Sequence, residues 1–191
     1  MAHLGLGAVR WIPAGNPPHR ERPQVTARQR LEMVLRSTAD NRRFSVDPAE
    51  VEAEAPSYTV LTLERLRREM GPEQPLVLLV GADAFAGLSS WHRWQDIFAL
   101  AHVAVSHRPG FPVSAANLPE ALASIYAQRR LLDVAGLRDQ PGGAVVTFAM
   151  TQLAISATQI RKLLANGLSP RYLLPDSVLD YIYSHSLYQS T

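Results

Sequence analysis

The segment Leu76-Val77-Leu78-Leu79-Val80, wholly apolar and closed by Pro75 and Gly81, constrains the fold more than any other part of the chain. Five consecutive apolar residues between a proline and a glycine match a strand covered on both faces, as at the centre of a parallel sheet. Residues 8–12, 44–46, 103–105 and 145–149 read as further strands, rich in β-branched and aromatic side chains. Stretches of helical period separate them. Thr26 and Gln29 form a capping box ahead of Leu31, Val34 and Leu35, which predicts a helix to Asn41. Val60, Leu63, Leu66 and Met70 recur at helical spacing from Ser57 to the stop at Gly71-Pro72. Residues 91–100 and 118–132 read as two more helices. Ser156 can cap a helix to Asn166 with Gly167 beyond it, and Pro175 opens a last one carrying Val178, Leu179, Ile182 and Tyr183. Strands alternating with helices predict an α/β fold, a doubly wound parallel sheet with right-handed crossovers. A chain of 191 residues without repeats predicts a single domain over 1–191, with residues 151–191 as its C-terminal helical part.

Composition removes several classes of function. Nineteen Lys and Arg against seventeen Asp and Glu leave a formal charge of +2, too little to drive binding to nucleic acid or an anionic membrane. The absence of cysteine excludes disulfides, thiolate metal sites and a Cys nucleophile, and is compatible with a reducing cytoplasm. No apolar run approaches the roughly 20 residues of a spanning helix, and residues 1–7 lack the pattern of a signal peptide. The expectation is a cytoplasmic protein with no nucleic-acid or membrane partner; homo-oligomerisation is left open. His3, His102 and His185 have no helical partner four residues away, which predicts structural roles and no histidine metal site. Gly5-Leu6-Gly7 lacks the third glycine of the dinucleotide fingerprint, and neither a Walker loop nor a G-x-S-x-G elbow is present.

Open α/β sheets bind ligands outside the carboxyl ends of their strands. The residues following the predicted strands are Gly15, Asn16, His19 and Arg20; Gly81 and Asp83; Ser106, His107 and Arg108; and Ser156, Thr158 and Arg161. A helix opening at Ser156 offers free N–H groups, a positive dipole end, two hydroxyls and Arg161 one turn in, which suits phosphate; an ordinary N-cap with a surface arginine is the alternative. Asp83 can accept from ribose hydroxyls or cap a helix. Trp91 and Trp94 can be core residues or a stacking face for a planar ring.

Segments in this order resemble the bacterial nicotinate-nucleotide adenylyltransferases of the nucleotidyltransferase α/β-phosphodiesterase superfamily. Pro17-Pro18-His19-Arg20 is similar to the family's P-P-H-[KR], Pro56-Ser57-Tyr58-Thr59 to P-S-Y-T, Gly81-Ala82-Asp83 to G-x-D and Ser90-Trp91 to [ST]-W. Arg108-Pro109-Gly110 resembles R-P-G, residues 155–161 resemble I-S-[SA]-T-x-I-R, and Leu174-Pro175 through Tyr181-Ile182 resembles the terminal L-P-x-x-V-x-x-Y-I. The resemblance implies transfer of AMP from ATP to nicotinate mononucleotide, giving nicotinate adenine dinucleotide and pyrophosphate in NAD biosynthesis, with Mg²⁺ as the metal. It implies that Ser156, Thr158 and Arg161 hold the ATP phosphates, Asp83 the ribose and the segment around Arg108 the adenine, with Gly81 also at the ATP site. Thr59, Trp91 and the backbone at His92 would receive the nicotinate ring and carboxylate. His19 and Arg20 would face phosphate, with His19 and Arg161 at the reacting centre. Alignment and neutralisation suffice for such an in-line transfer, without a nucleophilic side chain.

The chain opens at what resembles the end of the family's first helix. The first strand, the G-G-[ST]-F-D-P-x-H-x-G-H loop and most of that helix are therefore expected to be missing, leaving residues 76–80 with unpaired backbone and an uncovered apolar side. Ala14 and His92 also depart from the family, which often has Asn and an aromatic there. Two alternatives share these residues: an inactive nucleotide-binding remnant, and a phosphopantetheine adenylyltransferase, against which Ser90-Trp91 and residues 56–59 weigh.

Overall fold

Thr26 Oγ1 accepts the Gln29 N–H at 3.1 Å while Gln29 Oε1 accepts the Thr26 N–H at 2.9 Å, so the capping box legible in the sequence opens the first long helix. The computed structural model describes residues 2–15, 24–53, 55–108, 110–151 and 153–189; Asn16, Pro17, Pro18, His19, Arg20 and Pro109 lie outside the described residues. In chain order the elements are β1 (Val9–Trp11), α1 (Ala27–Thr38), β2 (Phe44–Val46), α2 (Ala49–Glu52), α3 (Thr59–Met70), β3 (Val77–Gly81) and α4 (Ala82–Ala86). They continue with α5 (Ile97–Leu100), β4 (His102–His107), α6 (Glu120–Arg129), β5 (Val145–Ala149), α7 (Ala157–Ala165) and α8 (Asp176–Ser184), joined by short 3-10 turns.

The chain divides into two compact units, Met1–Leu6 with Tyr58–Gln152, and Gly7–Ser57 with Leu153–Thr191. In the first, three strands form a parallel sheet in the order β3-β4-β5. Val103, Val105 and Val145 face a core built by Val60 and Leu63 of α3, Phe85 of α4, Ile97 and Phe98 of α5, and Leu122 and Tyr126 of α6. Ala104 and Val146 face the opposite side, beneath Leu4 and Leu137. Each such fully buried aliphatic or aromatic side chain contributes on the order of 1.5–3 kcal/mol.

The strand covered on both faces is therefore β4, and the central place expected for residues 76–80 is corrected: β3 pairs with β4 alone among the described strands, and Leu79 is 42% exposed. Apolar continuity reports the side chains a strand carries, whereas its place in a sheet depends on a distant pairing partner. The expectation of an uncovered apolar side on that segment matches what is seen. Two predicted helices are shorter. Arg93 takes a left-handed conformation (φ 49°), which breaks the helix expected over 91–100 and leaves only α5 after a 3-10 turn at Trp94–Asp96. At the end of α6, Arg130 turns extended and bridges to Val145. The short α2 and α4 carried no periodic signal long enough to be read.

The lower edge of this sheet is tied by two side chains. Arg67 of α3 donates to the carbonyls of Leu100 (2.5 Å), Pro141 (2.9 Å), Gln74 (2.5 Å) and Gly71 (3.2 Å). His102, fully buried, accepts the Ala144 N–H at Nδ1 (3.1 Å) and donates from Nε2 to the Gln140 carbonyl (2.9 Å), which fixes a neutral tautomer and gives this histidine its structural role.

In the second unit β1 and β2 pair in parallel, Val9 with Phe44 and Trp11 with Val46. Val25, Leu164, Val178, Leu179, Ile182 and Leu187 close its core, and Arg36 lies 5.0 Å from the centre of the Tyr181 ring.

His102→Leu keeps the volume but leaves the buried Ala144 N–H without its acceptor. A loss of about 1–3 kcal/mol in urea unfolding is expected; an unchanged midpoint would show that the imidazole bonds are dispensable.

Candidate active site

In the first unit the parallel register sets Gly81 opposite Ser106, and Ser106 opposite Phe148, at the carboxyl edge of the sheet. Asp83 follows two residues beyond Gly81 and Arg108 two beyond Ser106, so Gly81, Asp83 and Arg108 share that edge as expected, and all three are exposed. The N-cap of α4 is Gly81 and no side chain caps it, so Asp83 does not serve as a cap. Its carboxylate stands in the first turn of α4 with no hydrogen bond or ion pair among the described residues, free to accept from hydroxyls. Gly81 has φ −79° and ψ 159°, a conformation open to any residue, and a Cβ there would meet nothing within 4 Å. The fold itself does not require glycine at this position.

A second group lies at the start of α3. Tyr58 precedes Thr59, the first residue of the helix, and the Tyr58 and His92 rings lie 4.5 Å apart at 37°. Trp91 and Trp94 are half-buried against the core, so part of each ring serves packing; Trp94 meets Phe98 edge-on at 6.3 Å. Arg93, which no local pattern in the sequence singled out, donates to Asp96 Oδ2 from Nε (2.8 Å) and Nη2 (2.7 Å), and to Glu64 Oε1 of α3 (2.8 Å). Asp96 first, and then Glu64, raise its guanidinium above the usual arginine value. The reach to Glu64, 29 positions upstream, has no counterpart in any local sequence pattern.

In the second unit Ser156 is extended, and its Oγ accepts the Gln159 N–H at 3.1 Å, so it is the N-cap of α7. One turn of that helix presents Thr158, Arg161 and Lys162 to a cavity of about 720 Å³, closed on other sides by Gln29 and by Leu187 and Tyr188 of the C-terminal tail. Thr158 and Arg161 carry no side-chain hydrogen bond or ion pair among the described residues. Lys162 and Tyr188 were not anticipated. The tail reaches the cavity through left-handed backbone at Ser186 (φ 50°) and Tyr188 (φ 62°), held between them by buried Leu187, whose N–H donates to Ile182 O at 3.0 Å. Gly15, noted after the first strand, packs so close that a Cβ would lie 1.7 Å from the Glu50 carbonyl oxygen. Arg30 donates to the Ala14 (2.6 Å) and Gly15 (3.0 Å) carbonyls, fixing the backbone at that point. Among the described residues, no group of three or more His, Asp or Glu side chains could hold a metal ion, and no helix is long and apolar enough to cross a membrane.

The family model described as cytidylyltransferase-like matches residues 2–163. A protein of Dechloromonas aromatica (strain RCB), named a probable nicotinate-nucleotide adenylyltransferase, is 75% identical over 191 residues, covering 100% of this chain and 88% of that protein. A protein of the same name from Acidithiobacillus ferrooxidans is 49% identical over 98% of this chain and 84% of its own length. Among solved structures, Plasmodium falciparum nicotinic acid mononucleotide adenylyltransferase complexed with NaAD superposes with a TM-score of 0.65 at 12% identity, covering 96% of this chain and 83% of that one. This last likeness is one of fold.

Burial pushes the Tyr188 phenol up from its ordinary value, against the pull of Arg161 and Arg30 downward. A phenol raised on folding supplies stability that is present below the unfolded value, near pH 10, and lost as pH rises through the folded one. Urea unfolding between pH 8 and 11 is therefore expected to show a steeper alkaline loss in the parent protein than in Tyr188→Phe. Parallel curves would refute the assignment.

Proposed function

We propose, since the chain belongs to the nicotinate-nucleotide adenylyltransferase family, a division of its residues over the two substrates of that reaction. The enzyme transfers AMP from ATP to nicotinate mononucleotide and forms the dinucleotide used in NAD biosynthesis. A phosphate oxygen of the mononucleotide attacks the α-phosphorus of ATP, the bond to the bridging oxygen breaks, and pyrophosphate leaves with that electron pair. No proton has to move in this step, so the protein's task is to align two anions and offset their charge. The observation that carries the assignment is the helix start of α7, where free N–H groups, Thr158 and Arg161 stand beside one cavity with Lys162.

In this reading Ser156, Thr158 and Arg161 hold the triphosphate. Asp83 accepts from the ribose hydroxyls, the backbone at Gly81 is approached closely, and the segment around Arg108 borders the adenine. Thr59, Trp91 and the His92 N–H take the nicotinate ring and its carboxylate. His19 and Arg20, outside the described residues, are assigned to phosphate, with His19 and Arg161 nearest the reacting centre. Nucleotidyltransferases of this kind work with a divalent metal and ATP. Because no His, Asp and Glu cluster of metal-site size occurs among the described residues, Mg²⁺ is assigned to the ATP phosphates and enters as part of that substrate. The reading also places the enzyme in the cytoplasm, where ATP is supplied.

Pyrophosphate release measured with ATP and each of three acceptors tests this reading: turnover is expected with nicotinate mononucleotide. Turnover with phosphopantetheine alone would reassign the enzyme, and ATP binding without any pyrophosphate would mark a nucleotide-binding remnant. Gly81→Ala should leave the melting temperature unchanged and weaken ATP binding about tenfold, roughly 1.4 kcal/mol, because the added methyl takes space the fold leaves open. Ser156→Ala should cost about 1 kcal/mol of stability through the lost cap. Ser156→Asp should keep the cap and still weaken ATP binding by charge repulsion; unaltered ATP affinity in the Asp variant would remove Ser156 from the phosphate site.

A further inference from the structure

We propose that Arg93 is a positioning residue for nicotinate recognition, its guanidinium tying the turn 91–93 to Glu64 of α3 and to Asp96 so that the His92 backbone is held at a fixed angle. This rests on the reading of Thr59, Trp91 and His92 given above.

Three observations carry it. Arg93 occupies left-handed backbone (φ 49°, ψ 40°) that glycine would adopt without a steric penalty, so the arginine side chain supplies something a glycine could not. Its donors reach two carboxylates on two elements, Asp96 beside its own turn and Glu64 in α3, five residues past Thr59. The ring of the preceding residue, His92, rests against Tyr58 at the start of the same helix. One cation thus fastens the turn at one end of the contact while the ring pair fastens it at the other. With two carboxylates already on it, the guanidinium is committed, and it acts on the substrate through the turn.

The chemistry of the substrate explains why a fixed turn matters. A nicotinate carboxylate is charged and accepts on both oxygens, whereas the corresponding amide is neutral and can offer only its carbonyl oxygen to the same backbone N–H. An N–H held in line with the substrate group makes the stronger, charge-assisted bond that favours the acid; one free to swing loses that alignment, and the discrimination falls.

The test is calorimetric titration of the full chain with nicotinate mononucleotide, nicotinamide mononucleotide and ATP. The parent protein is expected to favour the acid. Arg93→Gly, whose backbone suits the left-handed turn, should bind nicotinate mononucleotide about tenfold more weakly and lose most of its preference over the amide. ATP affinity should stay within about twofold. Arg93→Lys, which can retain one ion pair, should recover part of the preference. Glu64→Gln, which removes only the tie to α3, should fall between the parent and Arg93→Gly, and it carries the test if the glycine variant does not fold. An unchanged acid-to-amide ratio in a folded Arg93→Gly or in Glu64→Gln, or an equal loss for ATP, would overturn the proposal. A parent protein that shows no preference for the acid would instead overturn the nicotinate assignment on which it rests.

Discussion

The three-stranded sheet is held at its amino end by one guanidinium and one imidazole. Backbone carbonyls at the starts of parallel strands have no ladder partner below them, and each needs a donor. Arg67 supplies donors to Leu100 O, Gln74 O and Pro141 O, while Pro141 O also accepts the Leu76 N–H at 3.1 Å. His102 ties Gln140 to Ala144, and its own N–H donates to Leu76 O at 2.8 Å. With the register fixed there, Gly81, Ser106 and Phe148 are carried to a common row at the other end. The residues assigned to ribose and adenine leave from that row, so a buried network remote from the chemistry sets where Asp83 and Arg108 begin.

The second unit relies on close packing instead. Gly15 lies against the Glu50 carbonyl where no side chain fits, its N–H donates to Ser57 Oγ at 3.1 Å, and Arg30 holds the carbonyls of residues 14 and 15. Where the unit's cavity meets the C-terminal tail, Leu187 is buried in the core while the residues on each side of it are left-handed. Burial of one leucine offsets the unfavourable backbone at two neighbours, and Tyr188 is delivered to the cavity that Arg161 lines. At the tail the backbone cost is concentrated beside the candidate site, where a single geometry is of use.

What could be read from the sequence divides by range. The cap at Ser156, the box at Thr26 and the stop at Gly71 act over three or four residues, and each forms as predicted. The placement of Gly81 and Asp83 needed only the end of one strand and the rule that ligands gather at carboxyl edges. Where the reading failed, the deciding partner was far along the chain. The place of β3 in its sheet depends on which strands pair with it, and five apolar residues cannot report that. The helix expected over 91–100 had adequate periodicity and was interrupted by a left-handed Arg93 whose partner Glu64 lies 29 positions upstream. Tyr188 stands at its cavity next to Leu187, which docks in a core drawn from Val25, α7 and α8.

The two readings of Ser156, ordinary cap and phosphate ligand, need not compete. A serine hydroxyl has one donor and two acceptor sites. In the structure one lone pair takes the Gln159 N–H, and the O–H remains available to an anion in front of the helix. Capping withdraws one N–H from the set a ligand could use, yet it also holds the Oγ at the helix start, where the dipole favours negative charge. The cap therefore orients the same hydroxyl that would donate to phosphate. By this logic Thr158 and Arg161, about half a turn and one-and-a-half turns further along α7, need no partner within the protein. In the proposed reading their neighbour is the polyanion, and leaving them unpaired in its absence would avoid breaking an internal bond each time ATP arrives.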